Sequence, residues 1–138
     1  MENLLRLMEG VADSATYTSI YDKEMNQKVK EFREYRAKMN EKILSKNNLV
    51  IKRIYNIDTN TYQEGALSTR EKELMGLVAS MVLRCDDCIK YHLETCFEIG
   101  LNTDQIMEAF SVANLVGGTI VIPHTRRALE YWEALQEE

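Results

Sequence analysis

Two cysteines and a histidine stand close together in the sequence. Residues 84–92 read RCDDCIKYH, so Cys85 and Cys88 form a C-x-x-C pair and His92 follows the second thiol by four positions. If this segment is helical, side chains three and four residues apart are neighbours, with Cβ atoms roughly 5–6 Å apart. The two thiols can then close to a disulfide. The imidazole can reach the Cys88 sulfur, as its base or as a group that stabilises the thiolate.

The start of a helix has opposing effects on the pKa of these thiols. Free backbone amides and the helix dipole favour an anion there and lower a thiol pKa. Asp86 and Asp87 are acidic neighbours, and each carboxylate opposes a nearby thiolate. The sequence therefore leaves the direction of the net pKa shift open.

A cysteine pair also suits a structural zinc site, or two small buried hydrophobic residues. A structural zinc site needs four converging ligands, usually from two short motifs. The sequence has no second C-x-x-C and no H-x-x-x-H. A site made of Cys85, Cys88 and His92 with Glu73 or water as the fourth ligand stays open, but redox chemistry is the favoured interpretation.

Composition is typical of one folded domain. The chain of 138 residues is 45% apolar with a single proline, long enough to bury a core without disulfides. Its net charge of −5 argues against a nucleic-acid partner, since phosphates attract a clustered excess of Lys and Arg. Residues 1–14 resemble neither a signal peptide nor a membrane span. We therefore expect a cytoplasmic protein with no membrane partner.

Apolar periodicity predicts helices and no strand. Steps of three and four predict a long amphipathic helix over residues 22–44. Residues 49–55 are more consistent with a helix than a strand, and the turn formers of 58–66 predict a loop. Ser68 and Glu71 form a capping-box pattern that starts the next helix.

Three more helices follow the one that starts at Ser68, which we expect to end near Arg84. Glycines, a proline and polar caps indicate their limits. The first is predicted to run from the cysteine pair to Ile99, and the second from Asn102 or Thr103 to Gly117, with Val116 on its inner face. The third is predicted to begin at about Pro123. The sequence thus predicts an all-α fold, an antiparallel helical bundle in a single domain over residues 1–138.

Residues 65–134 resemble the alkylhydroperoxidase D and carboxymuconolactone decarboxylase superfamily. The resemblance lies in GALSTREKELMGLVASMVLRCDDCIKYHLETCFEIGL, which combines a Leu-Ser start, a glutamate-led helix, C-x-x-C-x-x-x-H and a helix-ending glycine. It implies an all-helical bundle of the alkylhydroperoxidase D-like type. It also implies a core at 65–137 behind a variable helical region at 1–60, and a homo-oligomer, a trimer or hexamer.

The resemblance also implies a reaction. Peroxidase members use a glutamate twelve residues before the first cysteine, the position of Glu73, so Glu73 and His92 would take the proton from Cys88, either directly or through a water. Cys88 would attack a hydroperoxide, and Cys85 would resolve the sulfenic acid as a disulfide. An external dithiol reductant, for example a thiol donor protein, would reopen it, and no cofactor would be bound. A partner's disulfide is the other substrate expected. The best-known peroxidase members have a histidine where this chain has Asp87.

Two other functions stay open. One is lactone decarboxylation or isomerisation by acid–base chemistry on the same scaffold, although decarboxylase members typically lack the cysteine pair. The other is a non-enzymatic, metal-binding or scaffolding helical oligomer. Outside the site, Cys96 is predicted to be a core residue too far along the helix to bond Cys88, and His124 to serve packing or an interface.

Overall fold

The computed structural model describes residues 14–137, with side chains from residue 18 onward. The prediction drawn from residues 1–14 therefore lies almost wholly outside the described residues. The six α-helices of this part are Ser14–Ser45 (α1), Leu49–Thr61 (α2), Thr69–Val82 (α3), Asp86–Glu98 (α4), Thr103–Gly117 (α5) and Ile122–Gln136 (α6). A single 3-10 turn, Thr119–Val121, precedes α6. No strand occurs between residues 14 and 137, which confirms the all-α prediction.

Side-chain caps start the helices where the sequence indicated. In the capping box of α3, the Glu71 amide donates to Ser68 Oγ at 3.2 Å and the Ser68 amide donates to Glu71 Oε2 at 2.6 Å. Asn102, rather than Thr103, caps α5 through the same reciprocal pattern with Gln105. Pro123 lies in the first turn of α6, where its missing N–H costs nothing.

The predicted loop at residues 58–66 is wrong in its first part, because α2 continues to Thr61. The Thr59 and Thr61 hydroxyls donate to the carbonyls of Tyr55 and Ile57, one turn earlier, at 3.0 and 2.7 Å. These polar side chains bond within the helix instead of breaking it. The helix predicted over 22–44 is also longer than expected, at Ser14–Ser45.

The core lies between α3, α4, α5 and α6. Helix α3 packs against α4 and α5, and α6 packs against α4 and α1. The largest fully buried side chains are Trp132, Phe110, Leu77, Met81, Ile89, Leu93, Ile106 and Leu135. Val116 was predicted on the inner face of α5, but it is 68% exposed and lines an open groove between α3 and α5.

The two leading helices are attached differently. Helix α1 contributes Met25 and Val29 to the core, whereas α2 has no buried residue. The Arg33 side chain of α1 donates to Glu94 of α4 at 3.2 Å, and the Tyr131 hydroxyl of α6 donates to the same carboxylate. Glu94 thus ties α1 to the body of the fold. None of the helices within residues 14–137 has the length and apolar character needed to cross a membrane.

Candidate functional site

A tight turn between α3 and α4 positions the thiols. The Cys85 amide donates to the Ser80 carbonyl at 3.0 Å and the Arg84 amide donates to Met81 at 3.0 Å, the two bonds of a Schellman helix end. Arg84 occupies the left-handed position, with φ of 59°, where glycine is more usual. The next helix therefore begins at once, with Cys85 as its N-cap residue and Cys88 in its first turn.

The structure brings the two sulfurs together. Cys85 Sγ and Cys88 Sγ lie 2.7 Å apart, and both cysteines are free. Cys85 is half-buried and Cys88 is exposed. Since the Cys85 sulfur makes no capping bond to the backbone amides of α4, it is available to its partner sulfur. The pair is arranged to form a disulfide without movement of the helices.

Cys88 is a poor acid in this setting. Its hydrogen bond with Cys85 is the largest cause, and burial, the charge of Cys85 and the charge of Asp87 add to it, raising the pKa of Cys88 to about 11. Two adjacent thiols share a proton once one of them has ionised, so removal of the second proton is costly. The structure thus gives the direction that the sequence left open. Near neutral pH the Cys88 thiol needs a base.

Glu73 and His92 form a buried pair between α3 and α4. His92 Nδ1 lies 2.7 Å from Glu73 Oε2, and the two residues are only 6% and 2% exposed. Because the Glu73 carboxylate accepts this hydrogen bond, Nδ1 of His92 carries the hydrogen and Nε2 presents its lone pair. A carboxylate that holds the ring in this tautomer also stabilises the imidazolium once Nε2 takes a proton.

Cys88 and His92 face one cavity but are not joined by a hydrogen bond. Among the hydrogen bonds of the described residues, none is formed between His92 and Cys88. The sequence predicted that the imidazole reaches the Cys88 sulfur, and no direct hydrogen bond of that kind is present in this arrangement. Both side chains line one cavity of about 340 Å³. Helix α1 supplies much of its wall through Phe32, Tyr35, Arg36, Met39 and Asn40.

Tyr62 is a site residue that the sequence did not indicate. It is the C-cap of α2, and its ring centroid lies 5.3 Å from that of His92. Burial raises the pKa of the Tyr62 phenol, and the charges of Glu73, Asp58, Tyr91 and Cys88 raise it further. The phenol therefore stays protonated beside the Glu73–His92 pair. The only signal in the sequence was a tyrosine in an assumed loop, which is too common to single out.

Cys96 and His124 lie where the sequence suggested. Cys96 is fully buried in the core, and burial, followed by the charge of Glu73, raises the pKa of its thiol to about 12. His124 Nδ1 contacts Asp86 Oδ1 at 2.7 Å, and Arg127 Nε donates to Asp86 Oδ2 at 2.9 Å. His124 thus packs α6 onto the first turn of α4, at Asp86, which directly follows Cys85.

Metal ligation was one alternative for the cysteines. In the part of the chain that the structure describes, no three or more His, Cys, Asp or Glu side chains are grouped so as to hold a metal ion. Glu73 already occupies Nδ1 of His92.

The fold and the site define an all-helical protein that carries a C-x-x-C pair beside a buried glutamate–histidine pair. Residues 49–131 match the model of the carboxymuconolactone decarboxylase family. The match covers more than half of the chain, and the chain belongs to this family.

Solved structures show the same architecture. Two crystal structures of one Thermotoga maritima protein are similar to this chain, with TM-scores of 0.76 and 0.74 and sequence identities of 53% and 51%. Each similarity covers 78% of this chain, and 95% and 91% of the respective solved chain. The second is described as a carboxymuconolactone decarboxylase family protein with a suggested involvement in the antioxidative response.

Two curated relatives are more distant. An uncharacterized protein of Cupriavidus necator is 27% identical over 73 residues, which is 53% of this chain and 65% of that protein. Uncharacterized protein 4 in the cox locus of Paracoccus denitrificans is 32% identical over 68 residues, 49% of this chain and 61% of that protein. The chain thus spans less than two thirds of either relative.

Proposed function

We propose that the chain is a dithiol peroxidase or thiol–disulfide oxidoreductase, with Cys88 as nucleophile and Cys85 as resolving cysteine. The observation that carries this proposal is the 2.7 Å approach of the two sulfurs beside the buried Glu73–His92 pair. Cys88 is the sulfur that lines the cavity and is exposed, as a nucleophile must be. The antioxidative involvement suggested for the Thermotoga maritima protein points the same way.

The proposed reaction balances as follows. The Cys88 thiolate attacks one peroxide oxygen, the O–O bond breaks, and the alcohol leaves with the proton taken from the thiol. Cys88 is then a sulfenic acid. The Cys85 sulfur displaces its hydroxyl as water and forms the Cys85–Cys88 disulfide. An external dithiol reduces this disulfide by two electrons and becomes a disulfide itself.

Glu73 and His92 supply the base that this sequence of steps needs. With the pKa of Cys88 raised to about 11, few Cys88 thiols are ionised at neutral pH. Nε2 of His92 takes the thiol proton and later returns it to the leaving alkoxide, while the Glu73 carboxylate stabilises the imidazolium between these steps. Proton transfer of this kind contributes about 10²- to 10⁴-fold to a rate.

Peroxide consumption by the reduced protein tests the proposal. After removal of reductant, cumene hydroperoxide is expected to oxidise two thiols per chain, and peptide mapping is expected to find a Cys85–Cys88 linkage. Cys88→Ser should abolish consumption. Cys85→Ser should stop at a sulfenic acid on Cys88 that dimedone traps, and Cys96→Ala should behave as the wild type.

Three results would contradict the proposal. One is no turnover with any dithiol donor, with hydroperoxide or with a protein disulfide as substrate, while both thiols titrate as free. Another is a lactone decarboxylase activity that survives in the Cys85→Ser/Cys88→Ser double variant, which would assign the acid–base chemistry of Glu73 and His92 to a different reaction. Stoichiometric zinc in protein purified without chelator would occupy the thiolates and also count against it.

A further inference from the structure

The gap between His92 and Cys88 is the feature of the site that the proposed reaction leaves unexplained. Nδ1 of His92 is held by Glu73, and Nε2 has no hydrogen-bond partner among the described residues. A group that both donates and accepts is needed to connect Nε2 to the sulfur.

The Tyr62 hydroxyl stands beside this gap. A Cβ built on Gly76 would lie 2.7 Å from the Tyr62 hydroxyl, 2.7 Å from His92 Nε2 and 2.5 Å from His92 Cε1. Both the hydroxyl oxygen and Nε2 thus lie 2.7 Å from the same point beside α3. The distance between these two atoms is therefore at most twice 2.7 Å. Only glycine at position 76 leaves room for this approach. The Tyr62 hydroxyl, like Nε2, makes no hydrogen bond within the described part of the chain.

We propose that the Tyr62 hydroxyl bridges His92 and Cys88 in the active, ionised state of the site. In that state the hydroxyl donates to the Cys88 thiolate and accepts from the protonated Nε2. The thiol proton has moved to His92 through the hydroxyl, so that one proton leaves sulfur, one arrives at nitrogen, and the phenol is unchanged. This role rests on the proposed function, in which Cys88 is the nucleophile.

Three observations favour Tyr62 over other side chains as the bridge. The phenol remains protonated, since burial and the surrounding acidic groups raise its pKa, so it can donate to a thiolate. Cys88 lies one helical turn before His92 on α4, and both residues line one cavity, so the sulfur is on the same face of α4 as the imidazole that the hydroxyl approaches. Tyr91 is the other tyrosine next to His92, but the atoms that converge on Gly76 beside Nε2 include the Tyr62 hydroxyl and not the Tyr91 hydroxyl.

Alkylation of Cys88 by iodoacetamide, followed for this residue by mass spectrometry, tests the bridge without any peroxide. Tyr62→Phe keeps the ring and removes only the hydroxyl. Loss of a hydrogen bond to a charged group should slow Cys88 alkylation at pH 7 by about tenfold, and the pH midpoint should rise. The matched control is Tyr55→Phe on the same helix, which removes a hydroxyl bonded to Asn40 Oδ1 at 3.0 Å and should leave the Cys88 rate unchanged.

A second pair of variants tests the same geometry from α3, the helix that carries Gly76. Gly76→Ala places a methyl group against both Nε2 and the Tyr62 hydroxyl, and should slow Cys88 alkylation by at least as much as Tyr62→Phe. Gly65→Ala is the matched control, because its Cβ would meet only Lys72 Nζ at 3.6 Å, an ordinary contact. Far-UV circular dichroism establishes that each variant is folded.

The pH profile separates a bridge from a packing role. The ionisable groups that face the Tyr62 phenol are Asp58 of its own helix, Glu73 of α3, and Cys88, Tyr91 and His92 of α4. A lost bridge moves the midpoint for Cys88 alone, and the rates of wild type and Tyr62→Phe converge at high pH. A rate reduced by the same factor at every pH would instead indicate a packing defect and overturn the proposal.

Failure of this inference is distinguishable from failure of the proposed function. Equal Cys88 alkylation in wild type and Tyr62→Phe overturns the bridge whether or not the protein consumes hydroperoxide. A tenfold loss on Tyr62→Phe in a protein that turns over neither hydroperoxide nor disulfide keeps the bridge and removes the peroxidase.

Discussion

Helices α3–α6 and the two helices before them are held in contrasting ways. The former bury most of the core and carry Glu73, Cys85, Cys88 and His92. Helix α2 has no buried residue, yet it ends at Tyr62, against the ring of His92. The Glu73–His92 pair is therefore fixed by close packing, and the thiols lie at the start of a packed helix, whereas much of the cavity wall that faces them belongs to helices with fewer buried contacts. Substitutions in α3–α6 should therefore affect the chemical steps, whereas substitutions in α1 and α2 should affect access to the thiols.

The largest effect is expected from the buried pair in the packed part. Glu73→Gln keeps the size of the side chain and an acceptor for Nδ1, but removes the charge that stabilises the imidazolium. Peroxide consumption should fall by about 100-fold. The control is Glu71→Gln, two residues away on the same helix, because glutamine also completes a capping box. Equal rates in Glu73→Gln and wild type would remove the glutamate from the mechanism.

A second comparison measures the stability of the two regions directly. Leu77 is fully buried in α3, and Leu77→Ala should lower the free energy of unfolding by about 2–5 kcal/mol. Ile54 of α2 is 58% exposed, so Ile54→Ala should cost no more than about 0.5 kcal/mol. Urea unfolding gives both values.

The Ile54 result also tests the predicted oligomer. The exposed apolar residues of α2 include Val50, Ile54 and Ile57, at helical spacing, and a trimer or hexamer would have surfaces of this kind to cover. If Ile54→Ala costs several kcal/mol, or converts an oligomer to a monomer by light scattering, α2 is packed in solution against another copy. The contrast between the two regions would then apply only to the single chain.

The fold was predictable from the sequence where local chemistry decides it. Helix limits are set by residues that act within a few positions of the chain: the capping residues Ser68 and Asn102, and the helix-ending Gly100 with φ of 78°. Their residue types therefore indicate where the helices begin and end. The extension of α2 was missed because Thr59 and Thr61 are typical of turns, yet their hydroxyls bond carbonyls of the same helix.

The candidate site was predictable only within one helix. Cys85, Cys88 and His92 share a spacing that can be read directly, whereas Glu73 needed a family resemblance to be noticed. Tyr62 and Gly76 lie 14 positions apart in the sequence, and only tertiary packing places the hydroxyl of one against the backbone of the other. No local pattern encodes such a contact. The exposed Val116 illustrates the same limit, since periodicity cannot tell whether a neighbouring helix reaches the last turn.

The thiol pKa offers a smaller effect that is set within the packed region. The hydrogen bond with Cys85 is the largest cause of the raised pKa of Cys88. Cys85→Ser should therefore lower the pH midpoint of Cys88 alkylation from about 11 toward the ordinary value of 9.0. Alkylation at pH 8 should accelerate by roughly tenfold for each unit of that change. An unchanged midpoint would assign the raised pKa to burial instead, and Cys96→Ala serves as the control.

The smallest expected effect concerns the contact that fastens α6 to the start of α4. Burial alone would raise the pKa of Asp86, but hydrogen bonds from His124 and Arg127 lower it overall. A carboxyl whose folded pKa is lowered contributes stability above its unfolded pKa, near 3.9, and loses it as the pH falls through the folded value. Because Asp86 is partly exposed, solvent screens the pair, and Asp86→Asn should cost no more than about 1 kcal/mol at pH 7.

Urea unfolding of Asp86→Asn and wild type across pH 7 to 3 measures this contribution. The difference between them should stay constant down to about pH 4 and shrink below it. A difference that persists undiminished at pH 3 would mean that Asp86 acts through packing rather than charge. In that case the start of α4, and with it the position of Cys85, depends on shape alone, and acidification should leave the approach of the two thiols unchanged.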